Sequence, residues 1–136
     1  MDNNGICLEE TLVAALEALE GLKDRVCPVI DIQKSTGPLI VYDQRSEAEE
    51  QDLSGDTGLS AAVYQLHILH GTYLKMRRLS EMAKAAVKTL RGKTDGVLTI
   101  EAVTVELASP DILENKVQLF RRTYNVKISY QIKEDN

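Results

Sequence analysis

The sequence is poor in the large residues that usually build a protein core. Tryptophan is absent, phenylalanine occurs once, and aromatic residues make up only 4% of the 136 residues. Aliphatic side chains must therefore fill the core, with tyrosine at its margins. The hydrophobic content of 43% is ordinary for a globular protein, and a chain of this length buries roughly two-thirds of its surface on folding. We therefore expect a single domain over residues 1–136.

The sequence also lacks long apolar runs and a leader pattern. No run is long enough to cross a membrane, and residues 1–4 show none of the basic-then-apolar order of a signal peptide. These absences predict a protein that folds in the cytosol and does not enter a membrane. Cys7 and Cys27 are then expected to be buried thiols, with a disulfide as the less favoured alternative. Without histidines nearby, the two cysteines do not predict a zinc site.

Charge is unevenly distributed along the chain. The formal net charge of −5 argues against nucleic acid as a direct ligand, because contact with phosphates needs local positive charge. Residues 1–60 hold thirteen acidic and four basic side chains, whereas residues 61–136 hold eight acidic and twelve basic ones. This asymmetry indicates a molecule with two electrostatically different ends. Chance placement on a solvated surface would give the same counts and is the alternative interpretation.

The first part of the chain predicts a helix followed by strands. Leucines spaced at the 3.6-residue period place an amphipathic helix over residues 8–24, and Cys27-Pro28 stops any helix. A weak strand signal over residues 29–32 is followed by a turn at Gly37-Pro38. Residues 39–42 are β-favouring and apolar on both sides, which predicts a central strand.

The segment 44–59 changes character and is predicted to be a flexible loop. It combines acidic residues with serine, threonine and glycine, few of which could pack into a core. Loops of this length are uncommon in compact domains and are often functional or disordered. Its acidic residues are Glu47, Glu49, Glu50, Asp52 and Asp56.

A second amphipathic helix is predicted over residues 73–91, after an alternating strand over residues 61–70. Gly71-Thr72 separates the two elements, and Gly92 is the natural end of the helix. The predicted buried stripe consists of Tyr73, Met76, Leu79, Ala83, Val87 and Leu90. The opposite face is basic, has Glu81 as its only acid, and carries Arg77, Arg78, Lys84 and Lys88.

The rest of the chain is predicted to be β. Simple alternation over residues 97–107 would place Val97, Val103, Val105 and Leu107 on one face and Leu98, Ile100 and Ala102 on the other. Residues 117–132 continue as one long strand or as two. The element order α-β-β-α-β-β predicts an α+β fold, with a mixed, largely antiparallel sheet and both helices on one face. The other face must then be polar or covered, for example by partner subunits.

No catalytic or metal-binding pattern emerges from the sequence. His67 and His70 are three apart on a predicted strand, so they point to opposite faces and cannot bind one metal ion. Residues 54–58 lack the lysine and spacing of a phosphate-binding loop, and no nucleophile-elbow motif occurs. The acidic segment does not match calcium-loop spacing. We therefore expect no cofactor, no metal and no enzymatic activity, which leaves binding as the function.

Complementary charges on the predicted loop and helix suggest a contact between copies of the chain. The acidic loop of one subunit would lie near the basic helix of the next, and such a contact repeats head to tail and closes into a ring if the rotation permits. The interface residues on this hypothesis are Glu47, Glu49, Glu50, Asp52, Asp56, Arg77, Arg78, Lys84 and Lys88. A solvated helix beside a mobile loop is the alternative.

The order of segments also matches a known family. The relevant segments are the leucine-rich helix 8–22, the strand 38–42, the polar segment ending near 53–55, the strand 64–69, the helix 73–90 and the closing strand 121–132. Gly71-Thr72-Tyr73 occupies the place of a short aromatic-bearing motif that often opens the second helix. In these features the chain resembles the tail-completion and head-to-tail joining proteins of long-tailed bacteriophages and prophages, which are minor tail components.

The resemblance implies a subunit that caps the tail tube, or joins it to the capsid connector, as a ring of several copies, with a hexamer as one option. Its partners would be tail-tube and connector proteins, and DNA would pass through an acidic lumen without being specifically bound. Synthesis in the host bacterial cytoplasm would precede a place in the tail or neck of the virion. The alternative is a small non-enzymatic adaptor domain that binds a protein partner along an exposed strand edge.

Overall fold

The structure of the chain, a computed structural model, describes residues 4–28, 37–52, 55–115 and 117–132. In chain order the elements are α1 (Asn4–Glu17), β1 (Val26–Pro28), β2 (Leu39–Asp52), β3 (Gly55–His70), α2 (Tyr73–Lys88), β4 (Thr94–Asp95), β5 (Leu98–Leu107), β6 (Ile112–Glu114) and β7 (Leu119–Ile132). The α+β class is confirmed, but the predicted order α-β-β-α-β-β is wrong. The chain runs α-β-β-β-α-β-β-β-β, because β1, β4 and β6 are two or three residues long and too short to show a period.

The strands form one mixed sheet in the order β1-β2-β3-β7-β5-β4, and β6 pairs with β7. Among the described strands, β1 and β2 pair in parallel, and the remaining pairs are antiparallel. The first residues of β2 lie between β1 and β3, as the prediction of a central strand required. β7 is one continuous strand, which decides between the two alternatives left by the sequence.

Both helices pack on the same face of the sheet. Alternate residues of β3 and β7 point to that face and join the helices in one buried cluster, whose members include Leu8, Leu12, Leu16, Leu66, Ala83, Val87, Val126 and Ile128. The core is mainly aliphatic, as predicted from the scarcity of aromatic residues. The prediction that tyrosine lies at the margins of the core is wrong, since Tyr42, Tyr64, Tyr124 and Tyr130 are all buried members of the cluster.

The prediction of a loop over residues 44–59 is wrong. β2 continues to Asp52 and β3 begins at Gly55, so most of these residues pair in an antiparallel hairpin. Backbone hydrogen bonds do not need apolar side chains, which is why an acidic composition hid the strands. The pairing of β3 with β7 ends at Leu59 and Gln131, so the outer hairpin extends past β7 as two strands. We call residues 47–52 and 55–58 the acidic ribbon.

A β-bulge in β5 places two valines on the opposite face of the strand from the one predicted. Ile100 pairs with Tyr130 and Ala102 pairs with Ser129, which makes Glu101 the extra residue. One extra residue reverses the alternation of the side chains that follow it. The residues before and after the bulge therefore pack against the same core, namely Leu98, Ile100, Val103 and Val105.

The helices are shorter than predicted. α1 ends at Glu17, and Gly21, with φ of +83°, then helps to turn the chain toward β1. α2 begins where Thr72 Oγ1 accepts a hydrogen bond from the Lys75 backbone N–H at 3.3 Å, and it ends at Lys88. Tyr73 was predicted to be buried but is 40% exposed, whereas the rest of the predicted stripe is buried.

The weak strand predicted over residues 29–32 lies outside the described residues. Within the described part of the chain, neither helix has the length and apolar character needed to traverse a bilayer.

Candidate subunit interface

The basic residues of α2 do not form one face. One stripe contains Arg77, Lys84 and Lys88, which are spaced seven and four residues apart. Glu81 is on the same stripe, and its Oε1 lies 3.9 Å from Nη2 of Arg77. Arg78 is on a different stripe, together with Lys75. The interface predicted from the sequence therefore contains two separate groups of cations on one helix.

Lys75 and Arg78 border an open pocket of about 270 Å³ beside the N-terminal half of α2. The residues that line it are Glu20, Pro38, His70, Lys75, Arg78, Leu79 and Met82, and we call it the cationic pocket. Its floor is apolar, and Met82 is 39% exposed. Sequence reasoning missed Lys75 as a site residue. The signal was available, because Lys75, Arg78, Leu79 and Met82 follow the i, i+3, i+4, i+7 spacing of one helical stripe.

The wall of the cationic pocket is held by the approach of two chain segments. A Cβ atom on Gly37 would lie 2.8 Å from the Cα of His70, so only glycine fits at this contact. The next carbonyl, that of Pro38, accepts a hydrogen bond from Arg25 Nε at 3.0 Å. These contacts fix Pro38 beside His70 at the end of the hairpin where β2 begins and β3 ends.

The charge of the cationic pocket comes from Lys75 and Arg78. Burial lowers the pKa of His70, and the neighbouring Lys75 charge lowers it further, so the imidazole is neutral at neutral pH. The His70 ring accepts a hydrogen bond at Nδ1 from the Gly71 backbone N–H at 2.8 Å. Two cations then face the single carboxylate of Glu20, and the pocket favours an anionic ligand.

Several exposed apolar side chains lie at the same end of the sheet, namely Tyr73, Leu74, Ile112 and Leu113. The Tyr73 ring packs edge-on against Phe120 at a centroid distance of 6.0 Å, and its hydroxyl donates to Asp111 at 3.2 Å. Asp111 in turn accepts two hydrogen bonds from Arg122, both at 2.8 Å. The hydrogen bonds from Arg122 are the main reason that the pKa of Asp111 is lowered. This network holds the start of α2 against β7.

A second polar cluster crosses three strands on the helix-free face. His67 Nε2 lies 3.3 Å from Asp43 Oδ2, and its Nδ1 lies 3.0 Å from Thr123 Oγ1. A carboxylate can only accept, so Nε2 donates to Asp43 and the Thr123 hydroxyl donates to Nδ1. Although this resembles a catalytic triad, Thr123 is only 4% exposed, and its hydroxyl has no access to a substrate. His67 and His70 lie on opposite faces, as predicted.

The His67 cluster predicts that the fold loses stability in mild acid. Burial lowers the pKa of His67 below its ordinary value of 6.5, against the opposing effect of the hydrogen bond to Asp43. The unfolded chain therefore binds a proton more readily, and stability falls as the pH drops below 6.5. A His67→Gln variant should show a flatter dependence of urea unfolding on pH. His70→Gln should flatten it less, because that ring borders an open pocket; an unchanged slope in His67→Gln would contradict the assignment.

Within the described residues, no three His, Cys, Asp or Glu side chains are grouped so that they could hold a metal ion. Cys27 is a free thiol, but it is partly exposed rather than buried as predicted, and the side chain of Cys7 lies outside the described part of the structure.

Comparison with known proteins identifies the fold. No protein-family model and no curated protein sequence matches the chain. Among solved structures, the chain resembles one from the virion of a native gene transfer agent particle, with a TM-score of 0.53, 14% identity, and coverage of 90% of this chain and 92% of that one. It also resembles the gp17 protein of bacteriophage SPP1, with a TM-score of 0.51, 14% identity and coverage of 99% and 95%. The chain therefore shares its fold with both proteins over nearly their whole length.

Proposed function

We propose that the chain is a structural subunit of virion assembly, which completes a phage tail or joins the tail to the head. The observation that carries the proposal is the fold shared with one protein from a virion and another from a bacteriophage, over at least 90% of this chain in both cases. The order of sequence segments independently resembles tail-completion and head-to-tail joining proteins. Both lines of support lead to the same role, with tail-tube and connector proteins as partners in the tail or neck.

The subunit would act as a ring of copies. The acidic ribbon and the basic stripes of α2 are different surfaces with opposite charge, and a contact between different surfaces is head to tail. The proposed interface comprises Glu47, Glu49, Glu50, Asp52, Asp56, Arg77, Arg78, Lys84 and Lys88. A net charge of −5 suits a ring through which DNA passes without specific binding, because an acidic lumen repels phosphate.

The proposed role needs no catalysis and no cofactor. An arrangement of described residues that resembles an acid–base–hydroxyl series, at Asp43, His67 and Thr123, has its hydroxyl buried. Its hydrogen bonds instead join β2, β3 and β7 side by side, which supports a structural purpose for the cluster.

Native mass spectrometry and negative-stain images of the concentrated protein test the proposed function. We expect rings with one defined copy number, and binding to the ends of tail tubes from the phage or prophage that carries the gene. Tubes from an unrelated phage are the control. A protein that stays monomeric and does not bind its own tail tubes would refute the proposal.

The second candidate is an adaptor that binds a partner strand. The outer edge of β5 favours it, since β4 pairs only with the first two residues of β5 and Leu107 at the far end is 53% exposed. Tight binding of an extended peptide by a monomer, together with failure to form rings, would favour this candidate.

A further inference from the structure

The cationic pocket has a definite ligand preference. Leu79, Met82 and Pro38 supply an apolar surface, while Lys75 and Arg78 supply positive charge at its border. A fitting ligand therefore carries an apolar side chain together with carboxylates, which would lie on Lys75 and Arg78 and away from Glu20. The fit would combine apolar burial with charge-assisted hydrogen bonds to the cations.

Other pockets of the described residues fit such a ligand less well. One is lined by Glu9, Glu10 and Glu17 and would repel carboxylates. Another combines Arg45 and Lys127 with Glu106 and offers Val63 as its one large apolar side chain.

The chain itself contains a segment with the required chemistry. Residues 49–56 read Glu-Glu-Gln-Asp-Leu-Ser-Gly-Asp, with four acids around Leu53. Leu53 is the one large apolar residue between Arg45 and Leu59. It falls in the sequence between Asp52, where β2 ends, and Gly55, where β3 begins. Asp52 and Gly55, between which Leu53 falls in the sequence, pair with each other at the end of the hairpin farthest from the pocket.

The geometry of the hairpin requires two copies for this contact. Leu39 pairs with Leu69 beside the cationic pocket, and Asp52 pairs with Gly55 at the opposite end. The 14 residues of β2 separate these ends by about 40 Å at roughly 3.3 Å per residue. Because both ends belong to the same hairpin, the connection cannot enter the pocket of its own chain. A contact between one end of the hairpin in one copy and the other end in the next copy therefore arranges the subunits head to tail.

We propose that the 49–56 segment of one copy docks into the cationic pocket of the next copy, with Leu53 against Leu79 and Met82 and the flanking carboxylates on Lys75 and Arg78. This inference rests on the proposed function, since it names the contact that would join neighbouring subunits. It assigns the contact to Lys75 and Arg78 and leaves Lys84 and Lys88 outside it.

A complementation experiment tests the docking. One full-length variant, Lys75→Glu/Arg78→Glu, loses the pocket, and another, Leu53→Asp, loses the inserted side chain. Each alone should self-associate at least about tenfold more weakly than the wild type in sedimentation velocity. The pocket variant still has an intact segment, and the segment variant still has an intact pocket. Their mixture should therefore form 1:1 heterodimers and no larger species, which also shows that both variants are folded.

Matched controls separate this contact from general charge effects. Arg91→Glu/Lys93→Glu makes the same charge change at exposed positions after α2 and should assemble like the wild type. A benzophenone side chain placed at position 53 should cross-link between copies to residues lining the cationic pocket.

Three results would overturn the docking. The first is a wild type with no self-association and no cross-link at its highest soluble concentration. The second is normal assembly by both pocket and segment variants, which leaves the ring proposal standing. The third is loss of assembly in Lys84→Glu/Lys88→Glu but not in Lys75→Glu/Arg78→Glu, which moves the interface to the other stripe. Failure of the proposed function itself is distinguishable, because wild-type protein would then not bind tail tubes.

Discussion

Replacing residues 50–59 with an Asn-Gly turn is expected to abolish self-assembly while leaving the thermal unfolding temperature almost unchanged. Glu49 pairs with Ser60, so a two-residue turn can join them at a hairpin register that already exists. In the described strand pairing, the removed part pairs within the hairpin, apart from Leu59, which also pairs with Gln131 in β7. Going along β3, the buried core of the described chain begins at Ala62, so the packed interior is left intact.

Circular dichroism melting would measure the unfolding temperature, and sedimentation velocity would measure self-assembly. The matched control keeps the full length of the hairpin and changes the five acids of the acidic ribbon to the corresponding amides. This control should also lose assembly, because it removes the charge without removing the strands. Wild-type assembly by the shortened chain would mean that the ribbon plays no part in joining subunits.

Arg122→Ala is expected to lower the free energy of unfolding by about 3 kcal/mol, because it removes the cationic partner of the largely buried Asp111 carboxylate and leaves the Tyr73 hydroxyl as its donor. The side chains of this pair are 12% and 15% exposed. The next residue supplies a matched comparison, since Arg121 contacts Glu114 at 2.7 Å with 29% and 26% exposure. Arg121→Ala should cost only about 0.5 kcal/mol, as is typical of solvated pairs.

Urea unfolding of both variants at neutral pH tests this contrast. The pKa of Asp111 is lowered in the fold, so the contribution of its charge is present above 3.8 and is lost as the pH falls below that value. The difference between the wild type and Arg122→Ala should shrink in that acid range. Equal losses of unfolding free energy in Arg121→Ala and Arg122→Ala would show that the difference in burial does not set the contributions of the two ion pairs.

The sequence predicted those elements whose side chains alternate between core and solvent. α2 was recognisable because Met76, Ala83 and Val87 repeat at the helical period and are all buried. The inner part of β3 was recognisable because Tyr64 and Leu66 alternate with more polar residues. In both segments one face packs on the core, so apolar residue types mark the buried positions and more polar types mark the others.

The remaining features depend on contacts between distant parts of the chain. The acidic ribbon is held by backbone pairing, and its residues do not show the apolar–polar alternation from which a strand is predicted. The bulge at Glu101 depends on the register with β7, which no local pattern in β5 reveals. The cationic pocket likewise needs the approach of Gly37 to His70, far apart in sequence. The division of the basic residues into two stripes was accessible from spacing alone, which also places Lys75 on the stripe of Arg78, apart from Arg77, Lys84 and Lys88.

The acidic ribbon leaves the sheet as two strands, with no third strand alongside its outer part in the described chain. A two-stranded hairpin on its own is marginally stable in water at best. Part of the free energy of any contact made there is consequently used in ordering the ribbon itself. On the proposed function, we therefore expect free subunits to associate slowly in bulk and to add readily to a tail end that already presents neighbours, so that assembly is nucleated by a template.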